Sequence, residues 1–278
     1  MKKISAFPYP GGKFYLMDDI TRYIRTANFK LLVDVFGGSG KVLINIETSA
    51  TKVYNDADGR LVNVFMQIRD NKEELLKKFE FAIRSRQLFE ESNIPSPIPV
   101  DDAYRFLYRQ YTNFAGKRLS DSYGYILTDE RDLDVTRIAD IIKTVHNEIR
   151  KWNIEHMDFQ ELIEKYDSPN TLFYLDPPYW NVKFYDHNFI QKDFVRLANS
   201  LKTVKGKYLM NINADPNVVR IFGKPTESIE YINHTTLASD NDGSRTKRME
   251  FFYSNIVMQK QTSLFGEWND CCNKKESW

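Results

Sequence analysis

The stretch KLLVDVFGGSGKVLINI, Lys30 to Ile46, decides the fold. Lys30 to Phe36 is a short, mainly apolar run that stops at glycines, the pattern of a buried strand. Gly37, Gly38 and Gly40 then turn the chain, and KVLINI opens a helix. Just downstream the same alternation returns. TKVYNDAD, Thr51 to Asp58, predicts a shorter strand ending in acidic residues, and GRLVNVFMQIRD carries apolar residues at helical spacing. A β-α-β-α order implies a parallel sheet with helices on both faces and ligands at the carboxyl ends of the strands.

From about Asn71 to Arg150 the pattern changes to helical, aromatic and charged text, interrupted by NIPSPIPV, whose prolines exclude a continuous helix. Residues 71–150 therefore read as a mainly helical subdomain inserted between residues 1–70 and 151–260 of one α/β domain. The α/β rhythm resumes in NIEHMDFQELIEKY, the strand TLFYL, the helix FIQKDFVRLANSLKTV and the strand KYLMNIN. Two further strands, ESIEYINHT and RMEFFYSNIVM, flank the polar loop TLASDNDGSRTK, and residues 261–278 form a polar tail.

Composition narrows the class. With 278 residues, 42% hydrophobic and 28% charged, the chain is an ordinary globular protein able to bury a sizeable core. A net charge of +1 does not mark a generic nucleic-acid binder, so any basic surface must be local. Cys271 and Cys272 are adjacent in the tail, which suits neither a disulfide framework nor spaced metal ligands. No apolar run approaches the ~18 residues of a membrane helix, and the N-terminus lacks a signal-peptide core. A cytoplasmic, metal-free protein that does not enter membranes is expected.

Three motifs carry chemistry. Phe36-Gly37-Gly38-Ser39-Gly40 lets a ligand approach the backbone at a helix N-terminus, although a tight structural turn would look the same. Asn55-Asp56-Ala57-Asp58 places acids where ribose hydroxyls could be held, or where a helix is merely capped. Asp176-Pro177-Pro178-Tyr179, at the end of TLFYL, is far more specific. The two prolines stiffen the backbone and remove donors, so that carbonyls and the Asp176 carboxylate project as acceptors. An exocyclic amine matches them, and two acceptors gripping its hydrogens would favour a pyramidal, reactive nitrogen. Tyr179 offers a flat face for a ring, a contact worth ~1–3 kcal/mol per base. Trp180 walls either the pocket or the core.

A glycine-rich loop followed by Asp-Pro-Pro-Tyr on an α/β sheet resembles the S-adenosylmethionine-dependent DNA methyltransferases that modify exocyclic amines. More narrowly, FPYPGGKFYL, VDVFGGSGKV, YNDAD, the insert, HMDF and YLDPPYW resemble the Dam-like adenine-N6 class, over Phe7 to about Asn255. The resemblance implies a Rossmann-like methyltransferase sheet with an inserted target-recognition subdomain. It implies that Gly11, Gly12 and Lys13, with the adjoining Tyr9 and Pro10, close over the methionine end of the cofactor. Asp34, Phe36, Gly37 and Gly38, with Ser39 and Gly40 of the same loop, would line its amino-acid portion. Asp56, beside Asn55, would hold the ribose, and Asp158 and Phe159 would meet the adenine. Asp176, Pro177 and Tyr179, with Pro178 between them, would hold a target adenine flipped out of double-stranded DNA.

For DNA, NFAGKR is the expected reader, through Asn113, Lys117 and Arg118, with Ala115 where the family often has Asn. Arg105 and Arg109, interleaved with Tyr104, Tyr108 and Tyr111, fit phosphate contacts or an amphipathic helix equally. Arg245, Lys247 and Arg248 would clamp phosphates near the flipped base. Gln261 to Phe265, QTSLF, resembles the peptide by which bacterial proteins dock on the replication sliding clamp. The alternatives are methylation of cytosine N4, RNA adenine or a protein amide, or a catalytically idle DNA-binding module.

Overall fold

The computed structural model describes residues 4–9, 14–113, 133–181, 188–232 and 247–258. Pro10, Gly11, Gly12, Lys13, Lys117, Arg118, Arg245 and the stretch Gln261 to Phe265 lie outside the described residues, as does the side chain of Lys247.

The first half of the chain runs α1 (Met17–Thr26), β1 (Leu31–Asp34), α2 (Lys41–Asn45), β2 (Thr51–Asn55) and α3 (Gly59–Asp70). Among the described residues the helices α4 (Lys72–Glu80), α5 (Arg86–Glu91), α6 (Pro99–Thr112) and α7 (Val135–Ile149) follow. The α/β alternation then returns as β3 (Asn153–Glu155), α8 (Phe159–Tyr166), β4 (Thr171–Leu175), α9 (Gln191–Thr203), β5 (Lys207–Asn213) and α10 (Pro216–Phe222). The strands β6 (Glu227–Ile232) and β7 (Lys247–Ser254) close the order.

The strands form a single sheet in the order β3-β2-β1-β4-β5-β7-β6. β1 to β5 are parallel, while β7 runs antiparallel to both β5 and β6. The chain leaves β1 toward one edge and returns at β4 to build toward the other, so the topological switch point lies between β1 and β4. A crevice opens there beyond the carboxyl ends, because the connections from the two strands run off in opposite directions. Asp34 is paired with Tyr174, which puts the ends of β1 and β4 level.

Alternation along the central strands separates two cores. Leu32, Tyr54, Leu172, Tyr174, Leu209 and Phe252 face α1, α2 and α3. Val33, Val53, Phe173, Leu175, Met210 and Ile212 face α8, α9 and α10. The described helices within residues 71–150 share the first of these cores, through Leu75, Phe79, Phe106, Leu107, Ile142 and Val145. The proline-rich break ends at Pro99, which stands in the first turn of α6, where a missing N–H costs nothing.

The basic, aromatic stretch within α6 is an amphipathic packing helix. Arg109 is buried with its guanidinium over the Phe89 ring at 4.5 Å, and Arg105 donates to the Ile94 carbonyl. The phenol of Tyr108 is tied to the Ile83 carbonyl and that of Tyr111 to the Ala6 carbonyl, while Tyr104 lies edge-on to Phe79.

Candidate active site

The glycine loop and the Asp-Pro-Pro-Tyr segment leave adjacent strands on the two sides of the switch point. Asp34 ends β1 and is almost fully buried. Among the described residues its Oδ1 has no hydrogen-bond partner. Burial, followed by the nearby charges of Asp176 and Asp56, holds its carboxyl well above the usual range, against a stabilising hydrogen bond from the Phe36 backbone. An acid in such a place is ionised more readily when a cation stands beside it.

The loop after Asp34 is shaped from β2. The Gly37 amide donates to the Asn55 carbonyl at 2.7 Å, the Gly38 amide to Asp56 Oδ2 at 2.8 Å, and the Tyr54 phenol to the Gly38 carbonyl at 2.8 Å. Two of the glycines are required by packing within the chain: a Cβ on Gly37 would meet Tyr54 Cε2 at 2.2 Å, and one on Gly40 would meet Phe65 Cζ at 2.8 Å. Gly38, at φ 52°, faces Tyr9, whose ring would lie 3.4 Å from an added Cβ. Tyr9 is thus brought beside the glycine loop. The segment before it is held by paired bonds between Ile4 and the Asn45 side chain of α2. Ser39 is buried. Asn55 spends its side chain internally, donating to the Val35 and Met157 carbonyls and accepting from the Met157 amide. It therefore ties the ends of β1 and β2 to the segment after β3.

The segment after β4 is gripped by β5 and β7. Asn211, fully buried, donates to Asp176 Oδ1 at 3.2 Å and accepts the Tyr174 phenol at 2.6 Å. Asn213 Oδ1 accepts the Trp180 amide at 3.0 Å. Tyr179 donates its phenol to Glu250 of β7. Burial, then the charges of Glu250 and Asp176, raises that phenol well above its ordinary pKa, so it stays a donor. Pro177 is buried and Pro178 half-buried. Trp180 packs against Phe194 of α9, its ring 4.9 Å away, and so joins the second core.

Asp158 caps α8 by accepting the Gln160 amide at 2.9 Å, and the same oxygen accepts Arg196 Nη2 at 2.7 Å. Phe159 is only 5% exposed, lying against Phe36 and Phe189 with the Arg196 guanidinium over its ring at 4.7 Å. The pair expected at a purine thus sits under one arginine. On the expected DNA side, Asn113 is 8% exposed at the end of α6, and Arg248 is exposed on β7.

Sequence reasoning missed Asn211, Tyr15, Tyr231 and Glu250. A signal existed for two of them, since an amide inside KYLMNIN and a carboxylate inside RMEFFYSN interrupt otherwise buried strands. Tyr15 and Tyr231 gave none.

An acid and a glycine loop after one central strand, with an Asp-Pro-Pro-Tyr segment after its neighbour, are the arrangement expected of a methyltransferase of the exocyclic-amine class. The chain belongs to the D12 class N6 adenine-specific DNA methyltransferase family, whose sequence model matches residues 9–238. It is accordingly an N6-adenine DNA methyltransferase. It is 26% identical over 213 residues to the Type II methyltransferase M.CviBI of Paramecium bursaria Chlorella virus NC1A, covering 74% of this chain and 81% of the relative. It is 23% identical over 278 residues to the Type II methyltransferase M1.LlaDCHI of Lactococcus lactis subsp. cremoris, covering 91% of this chain and 96% of the relative. A solved structure described as a candidate rRNA-methylase of Clostridium thermocellum covers 86% of this chain and 97% of its own at 7% identity. Its TM-score is 0.36, too low to bear on the fold, which rests on the strand order itself.

Proposed function

We propose that the chain methylates N6 of an adenine flipped out of double-stranded DNA at a specific sequence, with S-adenosylmethionine as methyl donor. The observation that carries this reading is the pairing at the switch point: Asp34, buried with an unsatisfied oxygen among the described residues, stands near Asp176, which Asn211 orients. The fit to the cofactor is chemical. Its amino-acid end carries an ammonium and a carboxylate beside a positive sulfur, and a buried acid with two further acids nearby suits the two cationic groups.

In this reading Asp34 and the backbone of the glycine loop hold the amino-acid end, Asp56 the ribose, and Asp158 with Phe159 the adenine. When bound, the cofactor supplies an electrophilic methyl group. Asp176 and the Pro177 carbonyl accept the two hydrogens of the target amine and draw its lone pair out of the ring. Tyr179 supports the base, whose extrusion from the duplex costs roughly a few kcal/mol. Holding the amine in line does most of the work, and the proton released from nitrogen passes to Asp176 or to solvent. Residues 1–70 and 151–260 make the catalytic domain, and residues 71–150 carry target recognition.

The test is to incubate the purified protein with labelled S-adenosylmethionine and unmethylated DNA, then to map the product by modification-sensitive sequencing. N6-methyladenine at one sequence, lost in Asp176→Ala, is expected. A wild-type protein that leaves adenines unmodified would refute the reading.

A further inference from the structure

Glu250 is a buried charge for which the methyl-transfer reading provides no role. It is fully buried on β7, on the same face as Phe252. A carboxylate withdrawn from water is costly unless hydrogen-bonded. Its Oε1 accepts phenols from three separate parts of the chain: Tyr179 after β4, Tyr15 in the turn before α1 at 3.2 Å, and Tyr231 on β6 at 3.5 Å. Tyr15 and Tyr231 stack at 4.0 Å with an interplanar angle of 21°.

The placement says what this arrangement can do. Prolines 177 and 178 stiffen the backbone that leads to Tyr179 but leave its side-chain torsions free. A ring that supports a base needs a second fixed point to keep its plane, and the hydroxyl at its far end supplies one. Glu250 is itself held by the ladder, opposite Asn213 on β5 and Ile229 on β6. Since Asn211 holds Asp176 and Asn213 holds Trp180, β5 and β7 between them anchor the whole segment from its carboxylate to its second aromatic.

We infer that Glu250 is a positioning residue for the target base: it fixes the Tyr179 ring through the phenol, and the stacked Tyr15 and Tyr231 hold the same carboxylate oxygen in place. This rests on the reading of the site given above. A carboxylate that served only to staple the fold would be replaceable by an apolar side chain without a specific effect on turnover.

The experiment compares the full-length wild type with Glu250→Gln, Glu250→Leu, Tyr179→Phe and the double variant Tyr179→Phe with Glu250→Leu. The readouts are kcat and KM for methyl transfer to DNA, cofactor Kd, and the fluorescence of 2-aminopurine placed at the mapped target adenine. Glu250→Gln keeps an acceptor and should stay within ~3-fold of wild-type turnover, whereas Glu250→Leu should lose ~10-fold or more in kcat, the scale of a hydrogen bond to a charged group, with cofactor Kd unchanged. The 2-aminopurine signal should fall in step, and the double variant should be no slower than Tyr179→Phe alone. Wild-type turnover in Glu250→Leu, a loss that multiplies with that of Tyr179→Phe, or a parallel loss of cofactor affinity would overturn the inference. If Glu250→Leu does not fold, Tyr179→Phe decides, because it removes only the donor: unchanged kcat there overturns the proposal, and a ~10-fold loss with cofactor Kd intact supports it. A wild type that makes no N6-methyladenine would instead sink the reading of the site.

Discussion

Asn211 and Asp176 are joined from β5 to the end of β4: the amide donates to the carboxylate at 3.2 Å while its own oxygen accepts the Tyr174 phenol at 2.6 Å. All of Asn211 and nearly all of Tyr174 are inaccessible to water. Asn211→Leu should therefore leave a buried hydroxyl without its partner and cost ~1–3 kcal/mol of stability. It should also reduce kcat more than it raises KM, because Asp176 loses its orientation. Urea denaturation together with steady-state kinetics checks both parts, and an unchanged kcat in a folded variant would show that Asp176 orients itself.

Asp34 makes stability depend on pH. Burial, Asp176 and Asp56 raise its folded-state pKa, so the folded chain holds this proton more tightly than the unfolded chain does. Its contribution to stability is then fullest below the unfolded value of ~3.9 and is lost as pH rises through the folded value. Asp34→Asn should raise the Tm of the cofactor-free protein at ~pH 7.5 and lose that advantage toward ~pH 4, while weakening cofactor binding. Thermal melts across pH and cofactor titration provide the measurement. Identical melting profiles for the two proteins would contradict the electrostatic account.

The glycine loop makes a graded prediction. Gly37→Ala drives a Cβ into the buried Tyr54 ring at 2.2 Å and should cost ~1–3 kcal/mol. Gly40→Ala meets Phe65 at 2.8 Å with φ at 66° and should cost a similar amount. Gly38→Ala, at φ 52° with Tyr9 at 3.4 Å, should cost less, about 1 kcal/mol. The order is read from denaturation midpoints, and unchanged midpoints in all three variants would mean that the glycines matter only to a ligand.

The basic run near the start of β7 tests the DNA contact. Reversing the charge of Arg245 and Lys247 together should weaken DNA binding and flatten the slope of log affinity against log salt by ~2, about one per lost phosphate contact. Binding isotherms across a salt series decide the point. An unchanged slope would place the phosphate contacts elsewhere.

Much of the architecture was legible because it depends on local pattern. The β-α-β-α order and the strand TLFYL follow from apolar periodicity and glycine turns, which act within a few residues. The same rules could not say whether Arg109 faced DNA or the core. Only packing against Phe89 settled it, because an amphipathic helix carries no label for what covers each face.

The sequence by itself determined the family: a glycine loop and Asp-Pro-Pro-Tyr, each a local pattern of a few residues in an α/β order, are legible before any fold is known. What only the tertiary structure decided is how that chemistry is held. Asn211, Asn213 and Glu250 lie 35, 33 and 71 residues from their partners Asp176, Trp180 and Tyr179. These contacts arise only when β5 and β7 pair antiparallel beside β4. Trp180 likewise became a core residue through its contact with Phe194 on α9. Contacts across such separations depend on strand register, which is a property of the assembled sheet rather than of any segment within it.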